Sequence, residues 1–184
     1  MDRKRKPSRN WRRPLIAAVA VLCLAALIAG WVLLGRDEQA SEPELGVPTA
    51  LSPSGLRELS SERGPVYWAG PSKRGRLEVT RLEHGVVYVR YLPPGVELGD
   101  PSARFTIVVT YPMADAYARL VHDLQGAGTL ALKPRGGGVG LWRRTAPKSA
   151  YLAYPGVEAL VEVYDPSPRR ARKLARSGKI RRVP

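Results

Sequence analysis

The residues of this chain whose types could do chemistry are few: two histidines, one cysteine, scattered carboxylates and one glycine run. His84 and His122 could each serve as a base in a Ser-His-Asp or Cys-His arrangement, which needs a nucleophile and an orienting group in a recognised setting. His84 falls in a predicted turn and His122 on the polar face of a predicted helix, so both read as solvated side chains. A zinc site takes three or four ligands, which two isolated histidines and one cysteine inside an apolar run do not supply. Glu158 and Glu162 could form the carboxylate pair of glycoside chemistry, but the distance that decides it is not in the sequence, and they read as sheet-surface charges. Gly136-Gly137-Gly138-Val139-Gly140 invites a phosphate-loop reading. It lacks the Gly-Lys-Ser/Thr ending and joins two strands where a phosphate loop opens a helix, so a hairpin connection is favoured. No catalytic residue, metal set or cofactor site is assigned.

Two other features could bind without reacting. All eight tyrosines lie between Tyr67 and Tyr164, and Tyr67, Trp68, Trp142, Tyr151 and Tyr154 are candidates for an aromatic surface that meets glycan or peptide. The plainer explanation is that tyrosine suits strands. The second feature is a basic tail, with Arg169, Arg170, Arg172, Lys173, Arg176, Lys179, Arg181 and Arg182 as candidate anion contacts. Arg169 and Arg170 sit in the first turn of a predicted helix, where each cation costs about 0.3–1 kcal/mol against the helix dipole unless compensated. Asp165 could offset one of them. An anion-facing surface would explain the rest, and a solvated helix that keeps the protein soluble is the rival reading.

Elements must position these residues. Beyond Gly64 apolar residues recur at period two with β-branched and tyrosine enrichment, which predicts strands. The reading places them at 66–69, 76–82, 86–92, 104–111, 129–133, 139–143, 150–154 and 159–164, with 76–82 and 86–92 a hairpin turning at Glu83-His84-Gly85. Phe105, Ile107, Val109 and Tyr111 share one strand face. Met113, Ala116, Tyr117, Leu120, Val121 and Leu124 recur at helical spacing, which predicts an amphipathic helix over 113–125. Its polar face holds Asp115, Arg119 and Asp123 at i, i+4 and i+8, spaced to pair along the helix. Ser167 as N-cap, Pro168 at the first helical position and Gly178 past the end frame a basic helix over 168–177. The expected class is α+β, with a mainly antiparallel sheet, one packed helix and a C-terminal basic helix.

Around Val66-Tyr67-Trp68-Ala69-Gly70-Pro71, Tyr88-Val89-Arg90-Tyr91-Leu92-Pro93-Pro94-Gly95 and Tyr164-Asp165-Pro166-Ser167-Pro168, the chain resembles uncharacterised bacterial single-pass membrane-anchored proteins with a small exported α+β domain. The resemblance covers roughly residues 64–184, and it implies that layout without implying an activity.

The layout also follows from the N-terminus. Residues 14–35 are an unbroken apolar run, and at about 1.5 Å per residue a helix of that length covers roughly 33 Å, close to the hydrocarbon thickness of a bilayer. Trp11 and Trp31 bracket it, as interfacial indoles do. The run continues through Trp31-Val32-Leu33-Leu34 past the small residues Ala29-Gly30, which favours a retained anchor over a cleaved signal. Cys23 follows Leu22 where a lipoprotein signal wants a small residue, so it reads as an apolar core residue. Arg12-Arg13-Pro14-Leu15-Ile16 fits the loose twin-arginine pattern, which any basic flank before an apolar run produces.

Net charge, +14 overall, divides unevenly. Residues 1–13 hold seven basic and one acidic residue, 36–168 hold fifteen of each, and 169–184 hold eight basic and none acidic. The basic flank before the apolar run predicts an N-terminus in the cytoplasm and a translocated remainder. The expected organisation is a basic cytoplasmic segment (1–13), a transmembrane helix (14–35), an acidic, proline-containing linker (36–64) and an exported domain (65–184). In the linker, Leu56 and Leu59 are spaced for one helical turn that docks on the domain. The exported part has no cysteine, so packing must stabilise it without disulfides. The expected function is a non-catalytic binding module at the plasma membrane, contacting anionic lipid, wall polymer or an acidic envelope protein through its C-terminus, with no nucleic acid. The alternative is an enzyme that hydrolyses envelope glycan or peptide.

Overall fold

Period-two alternation builds one large sheet in the computed structural model, which describes residues 43–184. In chain order the strands are β1 (Thr49–Leu51), β2 (Tyr67–Trp68), β3 (Arg76–Arg81), β4 (Val87–Leu92), β5 (Thr106–Pro112), β6 (Thr129–Leu132), β7 (Val139–Arg143), β8 (Ala146–Ala153), β9 (Ala159–Tyr164) and β10 (Arg181–Arg182). The helices are α1 (Pro53–Arg63), α2 (Ala116–Asp123) and α3 (Pro168–Arg176). Eight strands pair in the order β1-β3-β4-β5-β9-β8-β7-β6, each neighbour antiparallel, while β2 and β10 form a separate antiparallel ladder. The class is α+β with a mainly antiparallel sheet.

One face of the sheet carries most of the core. Leu77, Val79, Val87 and Val89 pack with Leu51, Leu56 and Leu59 under α1, and Val108, Ala150, Leu152, Val161 and Val163 pack with Ala175 of α3 and with Ile180. The β2–β10 ladder lies over the same face between these groups: Trp68 and Val183 join the first cluster and Tyr67 the second. The opposite face is covered less evenly. There α2 packs Ala116 and Leu120 against Leu141 and Ala153, and the loop 93–105 closes over Glu78 and Arg90.

Those two residues are direct cross-strand partners in the β3–β4 hairpin. Glu78 has no exposed side-chain surface, accepts a hydrogen bond from Arg90 Nη1, and accepts another from the Gly99 N–H at 2.6 Å. Arg90 Nη2 donates to the carbonyl oxygens of Asp100 (2.6 Å) and Ser102 (3.3 Å), and its guanidinium lies 5.2 Å from the centre of the Phe105 ring. A buried ion pair thus ties the loop to the sheet.

Three expectations change. The linker expected over 36–64 is structured from Thr49, where β1 pairs with β3 and α1 follows. Ser52 caps α1 by accepting from the Gly55 N–H at 3.1 Å, Pro53 starts the helix, and Leu56 and Leu59 are buried. Three well-spaced leucines in a polar, proline-bearing stretch suffice to dock a short helix, and average composition conceals them. The helix expected over 113–125 begins at Ala116, because Asp115 takes a left-handed conformation (φ 55°) at its N-cap. It is held by Ala116 and Leu120, leaving Tyr117 and Val121 of the apolar stripe exposed. Asp123 pairs across to Arg143 at 2.9 Å instead of along the helix to Arg119. Finally, β8 begins at Ala146, four residues earlier than expected, because Pro147 disguises its first half.

The apolar run 14–35 and the basic segment before it lie outside the described residues. Among the described residues no helix is long and apolar enough to cross a membrane.

Candidate functional site

The basic helix α3 is ordered and one-sided. Ala171 and Ala175 are buried against the sheet, and Leu174 packs beside them. Residues at i, i+4 and i+7 share a helix face, and Arg169, Lys173 and Arg176 are the exposed residues at that spacing. Ser167 takes the N-cap position as expected but makes no side-chain cap bond. Asp165 works there instead. Its Oδ1 accepts from the Ser167 N–H (2.8 Å) and from Arg170 Nε (2.9 Å), and its Oδ2 accepts from Thr106 Oγ1 (2.7 Å). This buried carboxylate offsets Arg170, as the sequence suggested. Arg172 is used differently again: its guanidinium stacks 4.4 Å from the centre of the Trp142 ring, a cation–π contact.

Arg169, Lys173 and Arg176 are left without a carboxylate within ion-pairing distance among the described residues, as are Lys179, Arg181 and Arg182. After α3 the chain turns at Gly178, whose φ of 74° suits glycine, and returns as β10 with Ile180 and Val183 buried. The tail is therefore folded back, with Arg181 and Arg182 exposed on the short ladder. Sequence reading missed one neighbour. The Arg135 N–H donates to the Arg176 carbonyl at 3.3 Å, so the β6–β7 loop brings another exposed arginine to the end of α3. Only tertiary structure could place it there.

Two of the glycines in this stretch, Gly138 and Gly140, serve close packing. A Cβ at Gly138 would lie 2.4 Å from the Ala153 carbonyl oxygen, and one at Gly140 would lie 2.8 Å from Leu152 Cδ2. The hairpin connection expected for Gly136–Gly140 is what forms, since it joins β6 to β7.

The aromatic surface does not assemble. Tyr67 and Trp68 are buried, because a strand laid on a sheet between two helices hides both of its sides. Tyr67 stacks on Tyr154 with ring centres 5.4 Å apart, and the Tyr154 hydroxyl donates to the Ile180 carbonyl at 3.3 Å. Trp142 is half-buried beneath Arg172, and Tyr151 lies on the opposite face of the sheet from Tyr154. The five candidates therefore divide between core and two faces. Tyr91, not singled out from sequence, is a framework residue: its hydroxyl accepts from the Ala69 N–H (2.6 Å) and donates to the Gly70 carbonyl (3.0 Å).

Burial pushes Tyr91 up to about 12, and burial with the neighbouring Tyr67 does the same for Tyr154. Below pH 10 both keep their protons whether the chain is folded or not; above it the unfolded chain ionises first. The fold should therefore lose stability as pH rises from 10 towards about 12. Phenolate absorbance followed through a pH titration, with and without denaturant, should show a late-titrating group of tyrosines, Tyr91 and Tyr154 among them with Tyr67, Tyr111 and Tyr151, only in the folded protein. Ordinary ionisation of all eight would contradict it.

No catalytic constellation forms around the histidines. His84 is an exposed turn residue with φ 58°. His122 borders an open groove of about 550 Å³ lined also by Met113, Ala116, Arg119, Leu120, Asp123 and Leu160. Asp123 there is engaged by Arg143, and adjacent helix residues do not face each other, so His122 and Asp123 make no dyad. Glu158 is exposed, whereas Glu162 is half-buried and accepts from the hydroxyls of Tyr111 (2.8 Å) and Ser149 (2.6 Å), so a mutual carboxylate pair is not built. Among the described residues no group of three His, Cys, Asp or Glu is placed to hold a metal. What the geometry offers is an ordered, outward-facing row of cations on a well-packed helix. No protein-family model, curated protein or solved structure matches this chain.

Proposed function

We propose that this chain is a single-pass membrane-anchored envelope protein, N-terminus in the cytoplasm, whose exported domain is a non-catalytic module that contacts anionic surfaces through α3 and the residues after it. The apolar run 14–35 and its basic flank support the anchor and its direction. The observation that carries the binding role is the row Arg169, Lys173 and Arg176, presented on a helix whose other side packs Ala171 and Ala175 on the sheet, with no carboxylate among the described residues to neutralise it. Folding does not require these cations, since Ala171 and Ala175 make the contact with the sheet. Charge kept on a rigid face is suited to a partner with distributed negative charge.

The test is binding of residues 43–184 to vesicles with and without phosphatidylglycerol, and to purified anionic wall polymer, across a salt series. Each basic residue near an anionic bilayer contributes about 1 kcal/mol. Replacing Arg169, Lys173 and Arg176 by glutamine should therefore weaken binding roughly a hundredfold at low salt. The unchanged domain should also lose affinity as salt rises. Preference for vesicles or for polymer identifies the surface. Absence of binding to both, or equal binding by the triple variant, would refute the proposal.

A further inference from the structure

Five carboxylates of the described residues are wholly or partly buried: Glu78, Asp100, Asp123, Glu162 and Asp165. Four of them hold an arginine, Glu78 with Arg90, Asp100 with Arg104, Asp123 with Arg143 and Asp165 with Arg170. Glu162 has none. Its oxygens take one neutral donor each, the hydroxyls of Tyr111 and Ser149. A carboxylate has about four acceptor positions, and withdrawing an ionised one from water without a counter-charge opposes folding. Glutamine would fill the same place in the sheet with less cost.

The surroundings suit a cation. Glu162 lies in the middle of the eight-stranded sheet on β9, directly opposite Tyr151 of β8 and Val109 of β5, and Val109 is in turn opposite Tyr88 of β4. Tyr111 stands two residues along β5. Tyr88, Tyr111 and Tyr151 are all half-buried on this face, Tyr151 beside the cluster under α2 and within electrostatic reach of Arg143, which itself pairs with Asp123. Burial first, and then Glu162 itself, holds the Tyr111 proton well above the ordinary phenol range and raises that of Tyr151, so both hydroxyls stay neutral. Tyrosine faces attract cations, a carboxylate adds a charge-assisted hydrogen bond, and an aliphatic stem can lie along the rings. α3 packs on the other face, against Val161 and Val163, so this site is separate from the basic surface.

We infer that Glu162, with Tyr88, Tyr111 and Tyr151, forms a site for a primary ammonium on an aliphatic stem, the side chain of a lysine in a partner peptide or protein. The domain then carries two contact faces of opposite preference.

The test uses the full chain in maltoside detergent, labelled with 3-fluorotyrosine, with resonances assigned through Tyr111→Phe and Tyr151→Phe. Nα-acetyl-lysine methylamide is the probe, and the norleucine analogue, equal in stem and lacking the charge, is the control. The lysine probe should shift the Tyr111 and Tyr151 signals saturably, the norleucine control should not, and Glu162→Gln should weaken the response at least tenfold. If Glu162→Gln does not fold, the comparison of the two probes on the unaltered chain decides. No response, a response confined to other tyrosines, equal effects of the two probes, or an undiminished response in a folded Glu162→Gln would each overturn the inference.

Discussion

A chain beginning at Pro43 should fold as a cooperative unit, whereas one beginning at Ser60 should not. The shorter chain looks complete on composition, since it keeps every strand from β2 onward. It loses β1, most of α1 and the side chains of Leu51, Leu56 and Leu59, which are 5%, 0% and 3% exposed and share one cluster with Val79, Val89 and Trp68. Burying a leucine contributes about 1.5–3 kcal/mol, so three account for roughly 5–9 kcal/mol before the newly exposed valines and tryptophan are considered. A domain of this size has a total stability of about 5–15 kcal/mol. The loss is therefore of the same order as the whole. Thermal unfolding followed by circular dichroism should show a cooperative transition for 43–184 and none for 60–184. Within the longer chain, Leu56→Ala should cost about 2–5 kcal/mol in urea titration. A cooperative melt of 60–184 within a few degrees of the longer chain would show that α1 only decorates the sheet.

That result would also mark where sequence reading stopped working. β3 announces itself because apolar and polar residues alternate through it, β4, β7 and β9 as short runs rich in valine and aromatic residues bounded by turn signals, and α3 because Ser167-Pro168 opens it and Gly178 closes it. These are local signals. α1 has only two leucines to show, in a segment rich in serine, glutamate and proline, so its docking depends on a sheet surface formed by residues far along the chain. Tyr67 and Trp68 failed as surface candidates for the same reason: adjacent residues normally point to opposite sides of a strand, and here both sides are occupied. The candidate cation row was legible in its residues but not in its division of labour. Only the structure separates Arg170, spent on Asp165, and Arg172, spent on Trp142, from Arg169, Lys173 and Arg176. Glu162 was legible as a carboxylate on a strand, and its lack of a counter-ion became visible only beside the four carboxylates that have one.

Glu78→Ala should be among the most damaging single substitutions in the domain, at about 3–5 kcal/mol, because it strands a charge. Arg90 keeps only 13% of its side chain exposed, and its counter-ion has none. Without Glu78 the guanidinium retains the carbonyls of Asp100 and Ser102 and the face of Phe105, none of which carries a negative charge. The Gly99 N–H loses its acceptor at the same time. An exposed ion pair would behave differently: Arg104 with Asp100 has an arginine 66% exposed, and removing such a partner costs about 0–1 kcal/mol. The double variant Glu78→Leu/Arg90→Leu distinguishes the cost of a stranded charge from the worth of the pair. Buried ion pairs are often replaced by apolar residues with little loss, so the double variant should recover most of the stability that Glu78→Ala forfeits. It should not recover the loop. With Arg90 gone, nothing draws the carbonyls of Asp100 and Ser102 to the sheet, and amide exchange at Gly99 should accelerate even where urea unfolding shows near-native stability. If Glu78→Ala costs less than about 1 kcal/mol, the pair behaves as an exposed one and the loop is held by Phe105, whose ring meets Arg90 on one contact and Arg104 on another.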